Sequence, residues 1–149
     1  MLASMANLAS IYRNQGHWKK AEDLFVQVIE TSSRVFGAEH PDTLSSMANL
    51  ASTFLYQGQW KKAEDLFVQV IETSSRVLGT EHPDTLTNMA NLASTYRNQG
   101  RCKEAGELQV TELGICKRIL GPEHPDTLTS MNNLAFTWKN LDGILRPIS

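Results

Sequence analysis

The chain has 149 residues and a formal net charge of -2, so no excess of either sign points to nucleic acid or to an anionic membrane. Hydrophobic residues make up 41% of the sequence and charged residues 20%, which favours a soluble folded protein over a disordered one. No run of about 18 apolar residues predicts a membrane span, and the first residues lack the basic start of a signal peptide.

A seven-residue segment, Gly-x-Glu-His-Pro-Asp-Thr, divides the chain into repeats. It occurs at 37–43, 79–85 and 121–127 and is called the joint below. His40, His82 and His124 are 42 residues apart, and residues 1–42 differ from residues 43–84 at only nine positions. We therefore predict one continuous array over residues 1–140, with repeats 1–42, 43–84 and 85–126 and a partial repeat 127–140.

Each repeat carries two helical patterns, which the second repeat illustrates. Its first pattern recurs at steps of three and four residues: Leu44, Met47, Leu50, Ala51 and Phe54. Gly58 ends that helix, and a second stripe follows at Trp60, Ala63, Leu66, Phe67, Val70, Ile71, Ser74 and Val77. The period-2 alternation of strands is absent from the sequence, so each repeat is predicted to be a helical hairpin that must stack on its neighbours.

The joint is predicted to stop one helix and start the next. Gly79 ends the second helix, and Pro83 suits a first helical turn because its missing N–H would be unpaired there. Asp84 and Thr85 are expected to accept hydrogen bonds from the free N–H groups. The three joint histidines would lie about 10 Å or more apart, too far to share a metal ion, so we expect capping residues and neither a metal site nor a cofactor.

The end of the array departs from the repeat. Residues 127–140 contain a complete first helix, which gives about seven helices in all, and Pro147 predicts an irregular tail over residues 141–149. The third hairpin is predicted to be the weakest. Gln109 and Glu112 occupy core-type positions there, and Gly106 and Gly114 lie inside its second helix, so residues 101–149 are expected to open first.

The two cysteines are predicted to be reduced structural thiols. Cys102 and Cys116 fall on one helix, about 21 Å apart along its axis, which is too far for a disulfide. Free thiols favour a reducing compartment, and we expect a cytoplasmic protein.

The residue pattern resembles a known family. The packing positions of the second repeat, the Asn-Leu-Ala of each first helix and the joint are similar to the tetratricopeptide repeats of kinesin light chains. Nearly identical tandem repeats of this type also occur beside the nucleotide-binding domain of fungal NOD-like receptors. The chain itself has no Gly-x-x-x-x-Gly-Lys phosphate loop. The resemblance implies an all-α, right-handed superhelical solenoid of about seven helices without enzymatic activity.

The resemblance also implies a binding surface. In the family, the first helices line the concave face, and the Asn of Asn-Leu-Ala holds an extended peptide; here these are Asn7, Asn49, Asn91 and Asn133. Alternatively, these amides bind carbonyls of a neighbouring helix. Beyond them lies a second set of candidates: Arg13, Leu55, Tyr56, Arg97, Asn98 and Lys139. Three cations in that row favour the binding of an acidic peptide segment. Alternatively, the residues at these positions vary only because the helix ends are exposed.

Two functions remain open at this point. The first is a protein–protein interaction scaffold that binds a peptide segment of another protein on the concave face. The alternative is a structural or regulatory repeat region of a larger receptor or light-chain-like protein, with no ligand of its own. Nucleic acid and membrane are not expected as partners, and the uncapped ends of the array could self-associate head to tail.

Overall fold

Seven α-helices are present in the computed structural model, which describes residues 2–145. They are α1 (Leu2–Asn14), α2 (Trp18–Val35), α3 (Pro41–Tyr56), α4 (Trp60–Val77), α5 (Pro83–Asn98), α6 (Cys102–Leu120) and α7 (Pro125–Leu145). Within that range every residue outside the helices belongs to a short turn or connection, and no strand occurs. The predicted all-α class and the number of helices are confirmed.

The helices group into two compact units, Met1–Thr80 and Glu81–Ser149. In the first unit α2 packs against α1 and α3, α4 packs against α3, and α1 also contacts α3. In the second unit α6 packs against both α5 and α7. The boundary falls inside the second joint, whose sequence barely differs from that of the first joint, so the pattern of residues gave no sign of it. A single array over residues 1–140 stays a prediction.

The core of the first unit depends on one large and two small side chains. Phe25 of α2 is completely buried and clusters with Ala9 of α1, Ala21 of α2 and Leu50 of α3. Because alanine has almost no side chain, the helix backbones can approach closely where Ala9 and Ala21 meet, and the ring of Phe25 fills the remaining space. Small and large side chains therefore alternate at the contact between α1, α2 and α3 and hold the helices together.

Each joint starts a helix with a histidine cap. The Nδ1 atoms of His40, His82 and His124 accept a hydrogen bond, 3.1 Å long, from the backbone N–H two residues later. At the first joint the threonine acts as a donor and not as the expected acceptor: Thr43 is buried, and its hydroxyl donates to the carbonyl of Gly37, 2.9 Å away. Gly37 itself has φ of +107°, a conformation that favours glycine. The first joint thus ties the end of α2 to the start of α3.

Replacing a capping histidine should weaken its helix. We expect His124→Ala to lower the free energy of unfolding by about 1 kcal/mol, because the N–H of Asp126 loses its acceptor at the start of α7. His124→Asn, which keeps an acceptor at the cap position, should recover most of this loss. Urea unfolding monitored by circular dichroism measures both variants. Equal stabilities of the alanine and asparagine variants would contradict a capping role.

The seventh helix is longer than expected. α7 continues to Leu145, so the prediction of an irregular tail is wrong for residues 141–145, while residues 146–149 lie outside the described part of the chain. A proline disfavours helical geometry in the residue before it and not further upstream, so Pro147 does not prevent a helix through residues 141–145. Asn140 and the residues after it can therefore continue the helix.

An ion pair connects the two ends of a hairpin. Arg76, near the end of α4, donates two hydrogen bonds to Glu39 in the joint before α3, at 3.1 and 2.6 Å. The hydrogen bonds from Arg76 lower the pKa of the Glu39 carboxyl below its usual value. The same pair recurs 42 residues later, where Arg118 of α6 binds Glu81 before α5. Both pairs lie at the surface, so they orient the joint more than they stabilise it.

Candidate functional site

The first unit contains a cavity of about 270 Å³ between its first two hairpins. Its walls are the facing sides of α1 and α3, and its floor is formed by α2. The lining residues are Leu2, Ala3, Ala6, Asn7, Val28, Ser32, Phe36, Asp42, Ser45, Ser46 and Asn49. We call it the first groove.

The second unit contains an equivalent cavity of about 420 Å³, which we call the second groove. α5 and α7 form its walls and α6 its floor. The lining residues are Glu81, Pro83, Leu86, Thr87, Ala90, Asn91, Glu112, Cys116, Ile119, Leu120, Asp126, Thr129, Ser130 and Asn133. All eleven residues of the first groove have a counterpart here two repeats, or 84 residues, further along the chain. The two grooves are therefore versions of one site.

The four asparagines predicted to bind peptide line these grooves in pairs. Asn7 and Asn49 lie on opposite walls of the first groove, and Asn91 and Asn133 lie on opposite walls of the second. None of the four side-chain amides makes a hydrogen bond to another residue in the described part of the chain. A structural bond from these amides to a neighbouring helix is therefore not observed, and each amide can donate to and accept from a ligand.

Buried threonines fix the helical turns that carry three of the asparagines. Thr53, Thr95 and Thr137 are fully buried, and each donates its hydroxyl hydrogen to the backbone carbonyl of the asparagine four residues earlier, at 2.9–3.0 Å. The bond satisfies the hydroxyl without using the asparagine side chain. The buried hydroxyls therefore help to fix the backbone at three of the four asparagines.

The predicted row of cations lies outside both grooves. Arg97 is half-buried against α7, where its guanidinium lies 5.1 Å from the ring centre of Phe136 and donates to the hydroxyl of Thr137 at 3.5 Å. Arg13 is also half-buried, and its Nε finds no acceptor among the described residues. Lys139 is exposed on α7. Arg97 thus contributes to helix packing, a role that the repeat pattern did not indicate.

The remaining candidates lie near the ends of first helices. Tyr56 is 60% exposed at the end of α3, and the neighbouring Leu55 is half-buried. Asn98 is exposed at the end of α5. None of the three lines the first or second groove. The structure therefore brings the asparagines together in pairs and leaves the other six candidates outside the two grooves.

The floor of the second groove contains a polar cluster that the sequence reasoning did not identify as a site. Glu112 is only 6% exposed, and its Oε1 accepts hydrogen bonds from Ser130 at 2.7 Å and from the thiol of Cys116 at 3.3 Å. In the first groove the position of Glu112 is occupied by Val28. The signal in the sequence was a carboxylate at a core-type position of α6, which we interpreted, together with Gln109, only as a weakness of the third hairpin.

Both cysteines are buried and unpaired, as predicted. Burial raises the pKa of the Cys116 thiol, and the nearby Glu112 carboxylate raises it further. A thiol in this environment is a poor nucleophile, because the thiolate is the reactive form. In the second groove the Cys116 thiol therefore acts as a hydrogen-bond donor to Glu112.

Two general features limit the chemistry of the described residues. Among residues 2–145, no three or more side chains of His, Cys, Asp or Glu are grouped as a metal ion requires. No helix in that part of the chain is both long and apolar enough to cross a bilayer.

Comparisons with known proteins agree with this architecture. The model of the tetratricopeptide repeat family matches residues 1–74, 58–109 and 88–137. A crystal structure of the nearly identical repeats of a putative kinesin light chain from Podosopora anserina is 33% identical, with a TM-score of 0.84. A single-substitution variant of the same repeats, also 33% identical, has a TM-score of 0.81. In both comparisons 93% of this chain and 65% of the other chain are covered.

A third structure is similar in fold alone. BtubC (BKLC) from P. vanneervenii is 21% identical with a TM-score of 0.84, over 93% of this chain and 55% of the other. The chain thus spans less than two thirds of each of these relatives, and no curated protein matches it. The helical hairpins, the joint and the family match agree: the chain belongs to the tetratricopeptide repeat family, and its repeats are of the kinesin-light-chain type.

Proposed function

We propose that the chain is a protein-interaction scaffold that binds extended peptide segments in the first and second grooves. The observation that carries this proposal is the pair of unbonded asparagine amides on opposite walls of each groove. An extended peptide presents alternating N–H and C=O groups on both edges, and an amide side chain can pair with either. We further propose that these grooves belong to the concave face that the family resemblance implies.

The groove walls support binding to the backbone of a peptide. The lining of the second groove includes small and aliphatic side chains, among them Ala90, Leu86 and Ile119. Such walls can accommodate different side chains while the asparagines fix the main chain, which suits a scaffold with sequence-tolerant recognition. Arg13 in the first unit and Lys139 in the second would add a preference for acidic residues in the parts of a peptide that extend beyond each groove.

Removing one asparagine pair should weaken binding in its groove. We select peptides that bind the wild type from a random twelve-residue display library. The double substitution Asn91→Ala with Asn133→Ala should lower the affinity for these peptides by about tenfold or more, because up to two hydrogen bonds from each amide to the peptide are lost. The corresponding test of the first groove substitutes Asn7 and Asn49. Affinity is measured by fluorescence anisotropy with the selected peptides.

Asn132→Ala is the matched control for this experiment. Asn132 is exposed on α7 next to Asn133 but does not line the groove, so its removal should leave the affinity unchanged. Peptides that bind the wild type and both double variants equally well would overturn the proposal. Circular dichroism checks that each variant retains its helices.

A second candidate function, assembly within a larger protein, has one specific observation in its favour. On α7 the side chains of Leu128, Met131 and Trp138 are 41–51% exposed, whereas Leu86 and Met89 at the equivalent positions of α5 are buried. α7 therefore presents an apolar face that a further helix or a second copy of the chain would cover. Concentration-dependent sedimentation of the wild type, abolished by Met131→Glu, would support head-to-tail self-association.

Two further elements belong to the proposal. The chain would act without catalysis, in line with the usual role of its family as an interaction scaffold. It would work in the cytoplasm, which is supported by two buried cysteines that remain unpaired.

A further inference from the structure

The second groove differs from the first by a buried negative charge. Eleven positions correspond, and most differences between them are modest, such as Ser32 against Cys116 or Ser45 against Thr129. The exception is the floor, where Val28 of the first groove becomes Glu112 in the second. This position is where the two grooves would differ most in the ligands they accept.

The carboxylate of Glu112 is only half satisfied. Both of its hydrogen bonds, from Ser130 and Cys116, go to Oε1. No donor for Oε2 exists within the described part of the chain. Glu112 is more than nine-tenths buried and lines the cavity, so an acceptor that lacks a donor is held at the floor of the second groove. A buried carboxylate without a positive partner is costly, and a ligand that supplies one gains affinity.

The groove supplies no positive charge of its own. None of the residues that line it is an arginine, lysine or histidine. Two other carboxylates lie at its edge, but Glu81 is bound by Arg118 and Asp126 is exposed at the start of α7. Glu112 is therefore the charge that remains for a ligand to neutralise, and the surrounding carboxylates would repel an anionic one.

We propose that the second groove binds a lysine side chain of an extended peptide, with its ammonium group on Oε2 of Glu112. The inference rests on the proposed function, because the peptide backbone would be held by Asn91 and Asn133. Asn91 and Asn133 line the same cavity as Glu112, and their amide oxygens would be further acceptors for an ammonium group, which has three donors. The apolar walls at Leu86 and Ile119 suit the aliphatic stem of lysine.

The arrangement favours lysine over arginine. A guanidinium binds a carboxylate best when it engages both oxygens with two parallel hydrogen bonds. In the second groove Oε1 already accepts from Ser130 and Cys116, so a single oxygen is left. A compact ammonium group needs only one oxygen and can direct its other hydrogens to the asparagines.

The test uses four synthetic peptides of alanine and serine that differ at one central residue: lysine, Nε-acetyl-lysine, norleucine or arginine. Binding to the isotope-labelled full chain is followed by NMR through the side-chain amide signals of Asn91 and Asn133. We expect the lysine peptide to bind about tenfold or more tightly than the norleucine and acetyl-lysine peptides, and more tightly than the arginine peptide. Equal binding by the lysine and norleucine peptides, or no binding by any peptide, would overturn the inference.

The first groove provides matched variants. Glu112→Val gives the second groove the floor residue of the first, so it should fold and should lose the preference for lysine. Val28→Glu is the reciprocal change and should create a lysine preference at Asn7 and Asn49, where Ser32 and Ser46 can donate to the new carboxylate as Cys116 and Ser130 do to Glu112. Retention of the lysine preference by the Glu112→Val variant would contradict the inference.

The outcome can be separated from that of the proposed function. If library peptides depend on Asn91 and Asn133 but show no enrichment of lysine, the groove binds peptide and the assignment to lysine is wrong. If the lysine peptide shifts the amide signals while alanine substitution of the asparagines leaves library binding intact, the lysine site stands and the backbone role of the asparagines fails.

Discussion

Phe25→Ala is expected to lower the free energy of unfolding by about 3–5 kcal/mol, the usual cost of deleting a fully buried aromatic side chain. The ring of Phe25 is 0% exposed and packs among Ala9, Ala21 and Leu50, so three helices would border the resulting cavity. Two alanines in that cluster have no side chain long enough to refill the space. The cost should therefore fall in the upper part of this range.

The adjacent residue is the control for this substitution. Val26 is partly exposed on α2, and Val26→Ala should change the stability by less than about 0.5 kcal/mol. Urea unfolding followed by circular dichroism measures both variants. A loss below about 1 kcal/mol for Phe25→Ala would mean that the cluster is not the centre of the first unit.

Gln109→Met is expected to stabilise the second unit by about 1–3 kcal/mol, because it removes a buried polar atom that has no partner. Gln109 lies in α6 at the position that Phe25 and Phe67 occupy in the preceding repeats, and its Oε1 is buried without a donor among the described residues. Methionine has a similar volume and an unbranched side chain, so it can follow the path of the glutamine without overpacking.

Hydrogen exchange is the appropriate measurement, since it reports each helix separately. In the wild type the amides of α6 should exchange faster than those of α2 and α4, and Gln109→Met should reduce that difference. Gln69→Met, at an exposed position of α4, is the control and should have little effect. Uniform protection of α2, α4 and α6 in the wild type would contradict the prediction that the third hairpin is the weakest.

The sequence was sufficient to predict the helices because residue types with a local conformational preference mark the helix ends. Gly37 and Gly58 take a positive φ, Pro41 starts a helix, and the apolar stripes recur at helical spacing, so each boundary has a local cause. It was not predictable in this way that the histidine of the joint would cap the helix and that Thr43 would donate its hydroxyl hydrogen. Whether His40 or Asp42 caps α3 depends on where each side chain points relative to the N–H groups, and the residue types permit both.

The candidate site was predicted in part. The asparagines were found because the family motif repeats in register, and the structure brings them together in pairs. Arg97 was assigned to the same surface, yet it packs on Phe136, a ring at a position where the preceding repeats have serine. Glu112 was noticed and treated as a defect. Its significance depends on the cavity above it and on the donors Ser130 and Cys116, which only the folded chain brings together.

The ion pairs Arg76–Glu39 and Arg118–Glu81 have a consequence for how such an array can change in length. Each pair spans 37 residues, so both partners fall inside one 42-residue stretch that begins in a joint. A duplication or deletion of that stretch copies or removes the acid and the base together. Unequal recombination between the nearly identical repeats would therefore leave every surviving hairpin with its own partner. The number of repeats can therefore change while each remaining ion pair keeps both its acid and its base.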